Sequence, residues 1–126
     1  MIERIENITL YVKDQEEAKR FWIEKIGFEV KLEHSLGPNM KYIEVGPIGT
    51  DTTSFALYDK KQMSNKNPIL NVSHPTLLFK AKDIEKTYND FKDNGVKVGA
   101  FMEMELGKMF SFKDIDGNSY IVREEN

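Results

Sequence analysis

FSFKDIDGNSYIVR, residues Phe110–Arg123, is the stretch of sequence that decides the fold. Its first four residues alternate between phenylalanine and a polar side chain, which is the period of two expected of a half-buried strand. The next five, DIDGN at 114–118, combine aspartates that can bond nearby backbone amides with a glycine that tolerates positive φ. Ser119–Arg123 then resumes an extended pattern. The stretch therefore predicts a β-hairpin.

Upstream of this hairpin, the sequence predicts a strand, a helix and further strands. Thr76–Ala81 has the composition of a strand, Asp83 is a predicted helix N-cap, and Asn94 with Gly95 closes the helix. Its apolar side recurs at helical intervals through Ile84, Thr87, Tyr88 and Phe91. The strands predicted between the helix and the turn are Val96–Phe101 and Glu105–Lys113.

The same order of elements occurs once before in the chain. Ile5–Val12 alternates as a strand, and Asp14 with Glu17 has the spacing of a helix capping box. Trp22 lies on the apolar stripe of that helix, and Gly27 ends it. We expect Trp22 to pack against a sheet. Three predicted strands follow, at Phe28–His34, Met40–Val45 and Thr52–Tyr58.

The chain therefore reads as one domain of the α+β class with two tandem βαβββ modules. The predicted N-caps Asp14 and Asp83 are 69 residues apart, which suggests an internal duplication. Module 1 covers about residues 1–58, a connecting loop covers about 59–71, and module 2 covers about 72–126. Because each module has a single helix, one face of each sheet lacks a helical cover and must form a cavity or pair with another copy.

Composition excludes several classes of protein. The chain has 126 residues, a formal net charge of -3 and no cysteine. A disulfide scaffold, a thiol nucleophile and a Cys-rich zinc site are therefore excluded. The acidic balance disfavours nucleic acid as a partner. No apolar run is long enough for a membrane span and no signal peptide is evident, so we place the protein in the cytoplasm.

Four segments together resemble the vicinal oxygen chelate superfamily, which includes glyoxalase I, extradiol dioxygenases, and fosfomycin and bleomycin resistance proteins. They are ITLYVKD, AKRFWIEKIGFEV, DIEKTYNDFKDNGV and the hairpin FKDIDGN with its following strand. The resemblance covers nearly the whole chain outside Asp59–Asn71. It implies the glyoxalase/bleomycin resistance fold, in which the two modules form a curved mixed sheet with a central cleft, and it implies a homodimer.

Metalloenzymes of that superfamily place His, Gln or Glu ligands on four inward-facing strand positions. By resemblance, these positions fall on Asn7, Ala56, Thr76 and Ile121. Two of the four are apolar, so the residue types do not favour a bound metal. His74 lies near the third position, but Pro75 disfavours regular pairing there, and His74 would need a carboxylate such as Glu44 beside it. We therefore expect neither a metal nor another cofactor.

Alternation along the predicted strands gives a candidate ligand-binding surface of apolar, aromatic and hydroxyl-bearing side chains. It places Phe110 opposite Ile121 and Phe112 opposite Ser119 across the hairpin. Tyr42 adds an aromatic face. The full set is Asn7, Thr9, Tyr11, Tyr42, Glu44, Ser54, Ala56, Tyr58, Thr76, Leu78, Phe110, Phe112, Ser119 and Ile121. The alternative is that these side chains simply pack together or against a partner subunit.

These features favour a metal-free protein, similar to bleomycin resistance proteins, that sequesters a cationic or aromatic small molecule such as an antibiotic. The expected partners are that small-molecule ligand and a second copy of the chain, without nucleic acid or membrane. One alternative is a glyoxalase-like lyase or isomerase, or a dioxygenase, with a non-standard site. The sequence shows no activated nucleophile and assigns no catalytic residue, so it favours binding over catalysis. A non-catalytic interaction module is the other alternative.

Overall fold

A computed structural model describes residues 1–50, 52–66, 73–105 and 107–125. The chain divides into two compact units, Met1–His74 and Pro75–Asn126. Each combines at least one helix with a mixed sheet, as expected of the α+β class. No helix in the described part of the chain is long and apolar enough to cross a membrane.

Unit 1 has a four-stranded sheet with strand order β1-β4-β3-β2. Its elements are β1 (Asn7–Val12), α1 (Gln15–Arg20) with a π-helical continuation (Phe21–Ile26), β2 (Glu29–Ser35), β3 (Lys41–Gly46), β4 (Ser54–Asp59) and α2 (Lys60–Lys66). Strand β1 runs parallel to β4, and the other neighbours are antiparallel. The order therefore follows the predicted βαβββ module.

The first helix begins and ends as its sequence predicts. The Asp14 carboxylate accepts a hydrogen bond from the Glu17 backbone nitrogen at 3.0 Å, and Gly27 adopts a left-handed φ of 91°. Trp22 is 1% exposed, and its ring centroid lies 5.2 Å from Phe28 and 5.1 Å from Phe55. The prediction that Trp22 packs in the core is confirmed.

Unit 2 also begins with a strand and a helix, but four strands follow where the predicted module has three. Its elements are β5 (Leu78–Lys80), α3 (Ile84–Asp93), β6 (Lys97–Val98), β7 (Met102–Met104), β8 (Gly107–Lys113) and β9 (Ser119–Glu125). The strand order is β5-β9-β8-β6, with β7 also paired to β8, and β5 runs parallel to β9. Asp83 caps α3 by accepting a bond from the Lys86 backbone nitrogen at 3.2 Å.

The predicted hairpin is present, but its predicted register is wrong by one residue. Phe110 pairs with Val122 and Phe112 with Tyr120, because the turn closes between Asp114 and Asn118. A shift of one residue moves every side chain to the other face of a strand.

The two phenylalanines consequently lie on the face that α3 covers. Each is 1% exposed, and their ring centroids lie 5.9 Å (Phe110) and 5.1 Å (Phe112) from that of Phe91 in α3. The prediction that Phe110 and Phe112 line a ligand-binding surface was therefore wrong, since both belong to the core of unit 2.

The segment predicted as a loop at Asp59–Asn71 contains helix α2. Asp59 accepts a hydrogen bond from the Gln62 backbone nitrogen at 2.8 Å and so caps this helix. Its lack of an apolar stripe concealed it from sequence reading. The rest of the predicted loop, residues 67–71, lies outside the described residues.

Candidate functional site

The two faces of the unit 1 sheet differ sharply in composition. One face carries apolar side chains that pack beneath α1 and its π-helical continuation, among them Leu10, Ile43 and Phe55, which are at most 4% exposed. Because side chains alternate along a strand, the intervening residues lie on the other face. That second face carries eight of the residues predicted to bind a ligand.

Strand pairing arranges this second face as a grid of three rows across β3, β4 and β1. We call it the tyrosine face. Its rows are Tyr42, Tyr58 and Tyr11; then Glu44, Ala56 and Thr9; then Gly46, Ser54 and Asn7. The structure therefore brings together the predicted residues of unit 1.

Hydrogen bonds connect the polar members of the tyrosine face. The Glu44 carboxylate accepts one bond from the Tyr42 hydroxyl and another from the Ser54 hydroxyl at 2.7 Å. The Asn7 amide nitrogen lies 3.4 Å from the Tyr42 oxygen, to which it donates. Burial, and then the bond to Glu44, raise the pKa of Tyr42 above its usual value, which keeps this hydroxyl protonated as a donor.

The three tyrosine rings form a continuous aromatic row. The ring centroids of Tyr42 and Tyr58 are 5.9 Å apart at an interplanar angle of 67°, and those of Tyr58 and Tyr11 are 6.5 Å apart at 35°. All three side chains are half-buried. Aromatic surface beside a few fixed polar groups is suited to binding a small organic molecule.

The residues at the superfamily's four metal-ligand positions do not fit a metal ion. Ala56 and Ile121 have no donor atom, and the Asn7 amide nitrogen donates to Tyr42. Thr76 lies before β5, which begins at Leu78. Within the described ranges, no group of three or more His, Cys, Asp or Glu side chains could hold a metal ion. His74 lies at the end of unit 1, outside any described strand.

Unit 2 keeps only part of its predicted binding surface. Leu78 pairs with Ile121 on neighbouring strands, and Ser119 is an exposed residue at the start of β9. Ser111 stands opposite Ile121, where Phe110 was expected. Sequence reading missed Ser111, and counting the hairpin register from the Asp114–Asn118 turn would have found it.

A cavity of about 460 Å³ lies in unit 1 beside the tyrosine end of the sheet. It is lined by residues that sequence reading did not single out as ligand-binding: Lys13, Asp14, Gln15, Glu16, Ser35, Gly37, Asn39, Met40, Lys41 and Asp59. Many of their polar groups are engaged with each other or with backbone. Lys41 pairs with Glu16 at 2.8 Å, and Gln15 donates to the Leu57 carbonyl at 2.7 Å. The tyrosine face is chemically better suited to an aromatic ligand.

Comparison with known proteins agrees with this architecture. Residues 4–120 match the family model of the Glyoxalase/Bleomycin resistance protein/Dioxygenase superfamily. The chain is 37% identical over 125 residues to the uncharacterized protein YetH of Bacillus subtilis (strain 168), a match that covers 98% of this chain and 100% of that protein.

Two solved structures are similar over nearly their whole length. TnmS3, an antibiotic binding protein from Streptomyces sp. CB03234, superimposes with a TM-score of 0.83 at 26% identity, covering 99% of this chain and 98% of TnmS3. A superfamily member from Sphaerobacter thermophilus DSM 20745 gives a TM-score of 0.81 at 28% identity, with 98% of each chain covered. The chain belongs to the glyoxalase/bleomycin resistance protein/dioxygenase superfamily.

Proposed function

We propose that this protein binds and sequesters a cationic or aromatic small molecule, such as an antibiotic, without using a metal ion. The observation that carries the proposal is the tyrosine face, where three half-buried tyrosines form a row and one of them, Tyr42, donates its hydroxyl to the Glu44 carboxylate. The likeness to TnmS3, an antibiotic binding protein, supports the same class of ligand. Sequestration requires only that the ligand be held.

The chemistry of the tyrosine face favours holding a ligand over transforming it. Ser54 is 4% exposed and donates its hydroxyl to Glu44, so an incoming substrate has little access to its oxygen. The raised pKa of Tyr42 disfavours its use as a base. A half-buried carboxylate beside a tyrosine hydroxyl is the one observation that favours the alternative, a lyase or isomerase in which Glu44 moves a proton.

A thermal-shift screen with aromatic and cationic antibiotics tests the proposal. A ligand at about 100 times its dissociation constant stabilises the folded protein by about 2.7 kcal/mol, which raises the melting temperature by several degrees.

We expect Tyr58→Leu to weaken any binding about tenfold, because it removes the central ring of the row. A matched control is Glu24→Gln, an exposed position on the π-helical segment. If no compound raises the melting temperature, the proposal loses its support.

Two further measurements address the alternatives. We expect elemental analysis of the purified protein to show less than stoichiometric metal, and one equivalent of zinc, nickel or manganese would contradict the metal-free proposal. The homodimer that the resemblance implies stays a prediction. Light scattering coupled to size exclusion would show it as about twice the 14.6 kDa chain mass.

A further inference from the structure

We propose that the tyrosine face recognises an alkylammonium group on its ligand, with Glu44 as the counter-charge. This inference rests on the proposed binding function and narrows the ligand class. It follows from two features of the described residues: the arrangement of the rings and the unused acceptor capacity of the carboxylate.

The three tyrosine rings lie in a row and differ in orientation. Tyr42 and Tyr58 meet at 67°, so their faces do not stack on each other, and Tyr11 extends the row at a third orientation. Aromatic faces attract ammonium groups within about 6 Å of the ring centroid, and clusters of such rings bind methylated ammonium groups. A purely aromatic ligand does not require rings at different angles, because it can stack on parallel rings.

The Glu44 carboxylate has spare acceptor capacity. Each of its two oxygens accepts one hydroxyl bond, Oε2 from Tyr42 and Oε1 from Ser54. An ionised carboxylate offers about four acceptor sites, so about two remain. The two hydroxyl bonds hold the group in place without neutralising its charge. Partial burial of Glu44 strengthens its attraction for a cation relative to a fully hydrated surface carboxylate.

Choline and its neutral carbon isostere, 3,3-dimethylbutan-1-ol, test the inference in the unmodified protein. They differ only in the charged nitrogen, so the comparison isolates the charge. We expect choline to bind with a dissociation constant at least about tenfold lower, measured by NMR titration of the β1, β3 and β4 amides. Equal affinity would overturn the inference, as would no response to choline up to about 10 mM.

Two variants test whether Glu44 causes the preference for choline over its neutral isostere. Glu44→Gln keeps a hydrogen-bond acceptor and removes the charge, so we expect the preference for choline to fall to near unity. Glu24→Gln removes the same charge from an exposed position of the same unit and should leave the preference unchanged. An unchanged preference in Glu44→Gln overturns the inference. Antibiotics that bind while choline shows no advantage would also overturn it, and would leave the proposed function intact.

Discussion

Each unit contains a tyrosine that donates its hydroxyl to a carboxylate, and the two pairs differ in their surroundings. In unit 2, Tyr120 is 1% exposed and donates to Asp114 at 2.7 Å. Asp114 also accepts bonds from the Asp116 backbone nitrogen and from the backbone and side-chain nitrogens of Asn118, at 2.9, 3.0 and 3.2 Å. In unit 1, Tyr42 and Glu44 are half-buried, and Glu44 accepts only two bonds from the described residues.

The difference separates a structural carboxylate from one that can serve a ligand. Asp114 has four donors for its roughly four acceptor sites, so it closes the turn and has no capacity left. Glu44 is oriented by two hydroxyls and retains acceptor capacity among the described residues. The same chemical pair therefore closes a turn in one unit and, in the proposed function, is part of the binding surface in the other.

Replacing Asp114 should have the largest effect on stability. Asp114→Ala removes the acceptor for four donors, one of them the buried Tyr120 hydroxyl, so we expect a loss of about 3 kcal/mol in the free energy of unfolding. Urea titration followed by far-UV circular dichroism measures it. A loss below about 1 kcal/mol would show that the turn does not depend on this carboxylate.

Removing the Tyr120 hydroxyl should lower the free energy of unfolding less than Asp114→Ala does. Tyr120→Phe leaves Asp114 with three donors, and we expect a loss of about 1–3 kcal/mol by the same titration. Tyr42→Phe is the matched change in unit 1, where partial exposure lets water replace the lost bond, and it should cost under about 1 kcal/mol. If Tyr120→Phe and Tyr42→Phe lower the free energy of unfolding equally, the two tyrosine–carboxylate pairs do not differ as their burial predicts.

Alkaline pH probes both pairs at once. Burial first, then the carboxylate bond, raises the pKa of Tyr120 and of Tyr42 in the folded state. The resulting stability is fully present below the unfolded pKa of about 10 and is lost as pH rises above it. We expect a loss of about 1 kcal/mol between pH 9 and 11 for the buried Tyr120, and a smaller loss for the half-buried Tyr42. Each Tyr→Phe variant should lose less of its free energy of unfolding over this pH range than the unmodified protein does. Identical pH profiles would contradict the assignment of the loss to these tyrosines.

Neutralising Glu44 should have the smallest effect on stability. Glu44→Gln retains one acceptor oxygen on a half-buried side chain, so we expect less than about 1 kcal/mol of destabilisation in the urea titration. A loss as large as that of Asp114→Ala would show that Glu44 is structural, which would weaken its assignment to ligand binding.

Local signals in the sequence predicted much of the fold. Asp14 and Asp83 cap their helices as expected, because capping joins residues only three apart. The side of the unit 1 sheet that carries Tyr11, Tyr42 and Tyr58 was also predictable, since strand alternation alone assigns it. Helix α2 was missed because it lacks an apolar stripe.

Which residues of the candidate site share a sheet face was predictable in unit 1 and only partly in unit 2. In unit 2 the face depended on the hairpin register, and an error of one residue assigned Phe110 and Phe112 to the wrong side. That register is set by the Asp114 N–H bond to the Asn118 carbonyl, which closes the turn. Several turn lengths were compatible with the same residues, so composition could not choose among them.

By itself, the sequence determined the strand and helix that open each unit, the caps of α1 and α3 and the face of each unit 1 strand, because these depend on neighbours within about four residues. Tertiary structure decided which side chains meet across strands. Glu44 and Ser54 are ten residues apart in sequence, and Tyr11 and Tyr58 are 47 apart, yet strand pairing brings each pair into contact. Such contacts require the whole sheet, since only pairing between distant segments sets their register.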